Sequence, residues 1–135
     1  MTAAYDQNFR VPNVADIHVP VVSFLRTSEF GKWEIDDDQP SDSYVLHFRR
    51  GPWKRTLFGK KLIPIYGPTM AMRLCVTFRP TAETIRLGFR HEVMHLIQSS
   101  PSSEEYGEYA GAEVKALMNY LREYYDLAQP LELDG

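Results

Sequence analysis

Between Met70 and Phe78 the side chains alternate strictly, with Met70, Met72, Leu74, Val76 and Phe78 set against Ala71, Arg73, Cys75 and Thr77. A period of two matches the pleat of an extended chain, so this segment predicts a β-strand with one apolar face. Arg79-Pro80 ends it, because proline brings no N–H to a ladder. The apolar face of such a strand must be covered, and the chain has the means. With 135 residues, 44% of them hydrophobic and 13% aromatic, it can build one core and hence a single domain over residues 1–135.

The rest of the chain is less regular. Residues 1–18 carry few periodic apolar positions and include Pro12, which reads as an irregular lead-in, and the apolar run Val19 to Leu25 suits either a strand or a short helix. Ile35 to Ser43, rich in Asp and Ser, is a loop by composition. Tyr44 to Phe48 and Trp53 to Phe58, separated by Gly51-Pro52, suggest a basic hairpin, so residues 19–79 are expected to be mainly strands. Thr81 is placed to cap a helix running from about 82 to 98, with Glu83 in its first turn. Ser99 to Ser103 break it, a second helix is expected over 103–125, and 126–135 trail off. The expected class is α+β: a small mixed or antiparallel sheet followed by two consecutive helices.

No basic start followed by an apolar run opens the chain, and no stretch has the apolar length of a membrane span, so a soluble, cytoplasmic protein with no membrane partner is expected. Cys75 has no second cysteine to pair with and reads as a buried, unreactive thiol. The net charge of -3 conceals a segregated layout. Arg49, Arg50, Lys54, Arg55, Lys60, Lys61, Arg73 and Arg79 occupy a middle region that has no Asp or Glu between Asp42 and Glu83, whereas both ends are acidic. Such segregation arises from faces that complement one another, or from an anionic partner at the middle.

The most specific chemical signal is Arg90-His91-Glu92-Val93-Met94-His95. On a helix, a four-residue step brings His91 and His95 onto one face, where two imidazoles can share a Zn2+ ion. Glu92 beside them can take a proton from a zinc-bound water as general base. A site of this kind needs a third protein ligand, and no His follows His95. On the second helix Tyr106, Ala110, Glu113, Leu117 and Leu121 form one stripe, so Glu113 sits in a buried face, where a carboxylate is costly unless it is paired or binds metal. Either zinc ligation or an ion pair with a middle-region arginine, for example Arg73 or Arg79, would satisfy it.

His-Glu-x-x-His, seventeen intervening residues and then Glu, in a helix, turn, helix context, resembles the gluzincin branch of zinc metallopeptidases, and the short length resembles its minimal members. The resemblance covers about residues 84 to 120. It implies a zincin-like fold with His91, His95 and Glu113 on zinc, Glu92 in proton transfer, and hydrolysis of a peptide or protein substrate. Where one branch of that family carries an Asp four residues after the Glu ligand, this chain has Leu117. The competing class is a non-catalytic binding protein, for nucleic acid or a protein partner. It would use the basic block from His47 to Lys61, in which Trp53 and Phe58 could stack on a base while the cations hold phosphate. A zincin-like scaffold without activity is a third reading.

Overall fold

The computed structural model describes residues 2–56, 62–65, 71–94 and 103–134. The elements run β1 (Thr2–Pro12), α1 (His18–Arg26), β2 (Glu34–Ile35), β3 (Val45–Arg50), β4 (Trp53–Arg55), β5 (Leu62–Pro64), β6 (Met72–Pro80), β7 (Thr84–Met94) and α2 (Ser103–Tyr124). Five strands form an antiparallel sheet in the order β1-β7-β6-β3-β2, and β4 with β5 forms a separate two-stranded sheet. The expected mixture of helix and antiparallel sheet is present, with the final helix where it was expected.

Several local expectations are corrected. The lead-in is not irregular: residues 2–12 form an edge strand, in which Tyr5, Phe9 and Val11 lie opposite His91, Leu87 and Ile85 of β7. Of the two alternatives for the run Val19 to Leu25, the helix is the one present. The expected basic hairpin does not form as such, because β3 pairs with β6 while β4 pairs with β5.

The largest correction concerns the expected motif helix over 82–98. Residues 84–94 are an interior strand of the sheet, paired along its length with β1 on one side and β6 on the other. Residues 95–98 lie outside the described residues. The physical reason is a second period in the same segment. Ile85, Leu87, Phe89, His91 and Val93 alternate with Arg86, Gly88, Arg90 and Glu92, which puts every apolar group on one face of a strand and would scatter them around a helix. Thr81 does behave locally as an N-cap would, its hydroxyl accepting the Thr84 N–H at 3.1 Å. Here that bond closes the β6–β7 turn, together with the Thr81 N–H bond to Thr84 O at 2.7 Å.

One core lies on one face of the sheet. Phe9, Phe48, Leu74, Val76, Leu87, Phe89 and Val93 meet Val21 and Leu25 of α1 and Val114, Leu117, Met118 and Leu121 of α2. The Phe9 and Phe89 rings stack with centroids 5.6 Å apart. The other face of the sheet carries charged and polar side chains, and neither described helix adds to it.

Gly88 separates the strand from the helix experimentally. A Cβ there would press on Thr77 Oγ1 of β6 and come within 2.9 Å of Asn8 Oδ1 of β1. In an exposed helix, Gly88→Ala would stabilise by about 1 kcal/mol. In this strand it is expected to destabilise by roughly 1–3 kcal/mol, measured by urea denaturation.

Candidate functional site

The strand geometry divides the expected site. His91 points into the core and is buried, whereas its neighbour Glu92 projects from the opposite face of β7 and bonds Arg90 Nε at 3.2 Å. The general base and its proposed ligand partner are therefore on different sides of a sheet. His95 lies outside the described residues, and a strand through residue 94 removes the one-turn spacing on which its pairing with His91 rests.

His91 and Glu113 do come together. His91 Nε2 donates to Glu113 Oε1 at 3.2 Å, since an ionised carboxylate can only accept. The same carboxylate accepts from Ser28 Oγ at 2.8 Å, Arg50 Nη1 at 2.9 Å, and Trp33 Nε1 at 3.2 Å to both oxygens. The Arg50 guanidinium lies 4.0 Å over the Trp33 ring, and the same Nη1 bonds Gly31 O at 3.1 Å. Glu113 is thus answered by an arginine of the middle region, but by Arg50; Arg73 pairs with Asp36 at 3.2 Å, and Arg79 has no ion pair among the described residues. His91 Nδ1 is left buried without a hydrogen-bond partner.

Burial is the largest influence on the Glu113 carboxyl and would raise its pKa. The hydrogen bond from His91, the Arg50 charge and the Ser28 hydroxyl together outweigh it, and the group is held below its ordinary value. The space between His91, Glu113, Leu74, Phe89 and Leu117 has no room for a water molecule. Among the described residues, no group of three or more His, Cys, Asp or Glu side chains is placed to hold a metal ion. With both Glu113 oxygens taken up by protein donors, these residues do not fit a zinc ion that must also carry a reactive water.

The charge segregation resolves into internal complementarity. Asp36 is buried and faces Arg73 at 3.2 Å and Arg49 at 3.7 Å. Asp37 pairs with Arg49 and Arg55 at 2.9 Å each, and Asp38 with Arg55 at 3.1 Å. Where these segments meet, a cleft of about 200 Å³ is lined by Lys32, Glu34, Arg49, Arg50, Gly51, Trp53 and Leu62. The Trp53 indole donates to Arg50 O at 3.1 Å, with Arg73 stacked 4.8 Å from its ring centroid. Sequence reasoning singled out Trp53, Arg49 and Arg50 but missed Lys32 and Trp33, which no periodic pattern marks.

Other aromatic and polar side chains make contacts within the fold. Tyr109 donates to Phe30 O at 3.0 Å, and Tyr120 packs on Phe24. His47 lies opposite Cys75 on the polar sheet face. Burial, with Glu92 adding to it and Arg90 opposing, raises the Cys75 thiol pKa, in keeping with an unreactive thiol. No described helix is long and apolar enough to cross a membrane. No family model and no curated protein matches the chain in sequence.

Glu113→Ala, which leaves the Arg50 charge and the Trp33 N–H without their acceptor, is expected to cost about 3–5 kcal/mol of stability in chemical denaturation. Because the folded carboxyl titrates below its ordinary value of 4.5, its stabilisation is complete above that pH and is lost as pH falls from there through the folded pKa. Glu113→Gln cannot titrate and is expected to lose that part of the acid dependence, seen by comparing melting curves between neutral and acid pH.

Proposed function

We propose that this chain is a non-catalytic binding protein that takes a small anionic ligand with a planar ring, of mononucleotide type, in the cleft beside Trp53. The observation that carries the reading is the wall of that cleft, where the Trp53 indole, Lys32 and Arg50 meet on about 200 Å³, with Glu34 and its partner Arg49 at the side. Arg50 is held in place by the buried Glu113 and the Trp33 ring, so its orientation is fixed before a ligand arrives. Among the described residues its Nε has no acceptor, and exposed Lys32 has no ion pair. A small ligand suits the cleft better than a long polyanion, because Arg49, Arg55 and Arg73 are already neutralised by Asp36, Asp37 and Asp38. The hydrolase reading has the weaker support, since it needs Glu92 on the same side as His91.

Titration with adenosine monophosphate, followed by tryptophan fluorescence, tests the reading. Saturable quenching is expected, weakened roughly tenfold or more by Trp53→Phe. Lys32→Gln should weaken it severalfold, and by less as salt is raised. Absence of saturable binding would remove this reading. About one zinc per purified chain, lost in His91→Ala and accompanied by peptidase activity that Glu92→Gln abolishes, would restore the hydrolase in its place.

A further inference from the structure

The polar face of the sheet holds a second feature, independent of the cleft. Arg10 of β1, Arg86 of β7 and Arg79 of β6 lie directly opposite one another in register, forming a row of three guanidinium side chains across adjacent strands. Like charges directly opposite destabilise a sheet, because neighbouring strands lie only about 4.8 Å apart. The described residues answer this row with a single carboxylate. Asp134 lies 3.8 Å from Arg10 Nε and 3.6 Å from Arg86 Nε, beyond hydrogen-bond distance of either, and it makes no ion pair with Arg79.

The next row inward is Asn8, Gly88 and Thr77. Thr77 and Asn8 close in over Gly88, which has no side chain, and beside them lies a notch of about 110 Å³ lined by Asn8, Thr77, Arg79, Arg86 and Gly88. None of these residues is acidic. The Arg86 Nε atom is buried and has no hydrogen-bond partner, and the side chains of Asn8, Thr77 and Arg79 make no hydrogen bond within the described residues. Uncommitted donors thus surround the notch from three strands, with two guanidinium groups at one end and a hydroxyl and an amide at the other.

We propose that this notch is a binding site for a phosphoryl group, carried as inorganic phosphate or as a phosphate monoester. A tetrahedral dianion matches the two guanidinium charges of Arg79 and Arg86, and its several oxygens can accept from donors arriving in different directions. A planar carboxylate would leave part of that donor set without acceptors. Asp134 is the intrinsic competitor, a carboxylate held beside the row by the Asp134 N–H bond to Asn8 O at 2.7 Å.

Calorimetric titration of the full chain with inorganic phosphate and with phenyl phosphate, in low-salt chloride buffer, tests the site. Saturation at one site per chain is expected, and a marked preference for either probe identifies free phosphate or an ester as the source. Arg79→Gln should weaken binding about tenfold or more, and Thr77→Val severalfold. Asp134→Asn, which removes the competitor, should tighten it. In phosphate-free buffer Arg79→Gln should melt no lower than the parent chain, since it relieves like-charge repulsion, whereas a purely structural Arg79 would show a lower melting temperature. The proposal is overturned if binding does not saturate or if Arg79→Gln and Thr77→Val bind as the parent does. It is equally overturned if Lys115→Gln on the distant helix weakens binding as much as Arg79→Gln.

Discussion

A carboxylate sealed away from water has to be met by several donors at once, and Glu113 draws them from three separate parts of the chain. Ser28 and Trp33 come from the connection between α1 and β2, Arg50 from the end of β3, and His91 from the middle of β7. An apolar stripe such as Ala110, Val114, Leu117 and Leu121 can be satisfied by more than one sliding position of a helix on a sheet. A charged group with four specific donors cannot. The network therefore sets the register of α2 over the sheet and, through Arg50 and Trp33, the inner wall of the cleft beside Trp53. The energy of the pair against a well-packed apolar substitute is small or unfavourable, so positional specificity is the stronger account of why a charge stands there.

The arginines divide by how they are answered. Arg49, Arg50, Arg55 and Arg73 meet carboxylates from the acidic loop or from α2, which turns the sequence's charge segregation into contacts between one segment and the next. Arg10 and Arg86 share Asp134, and Arg79 beside them has no ion pair among the described residues. The first set is a device of folding, because its partners lie within the chain and are numerous. The second leaves a local positive potential at one end of the polar sheet face, and that is where chemistry from outside the chain can act.

How much of this could be read beforehand depended on which period dominated a segment. The alternation around Leu74 and the stripe around Glu113 were unambiguous, and β6 and α2 fall where expected. Glu113 was identified as a buried charge needing an answer, and one of the two answers considered, an arginine of the middle region, is present. The segment from Thr84 to Met94 carried two signals: a five-residue motif meaningful on a helix and a nine-residue alternation, Ile85 to Val93, meaningful on a strand. The longer pattern corresponds to more buried area, and it prevailed. Thr81 reinforced the wrong choice, since a hydroxyl accepting the N–H three residues on serves a hairpin as well as a helix. The first strand was hidden because Gln7 stands on its apolar face. Trp33 and Ser28 could not be found from pattern at all, because their roles depend on contacts across 80 and 85 positions of sequence.

The pairing of β1 with β7 carries a further consequence for how the chain reaches this state. The first strand hydrogen-bonds to the last one of the sheet, and the segment between them must be gathered before that ladder can form. Closing so long a loop is slow compared with forming the β6–β7 turn or α1. During synthesis the earliest strand waits, its backbone groups unmatched, until nearly all the remaining strands have left the ribosome. The molecule is therefore most exposed to mispairing with other chains in the interval before β7 arrives, and the alternating face of β7 acts as the closing member on which the edge strand and both helices settle together.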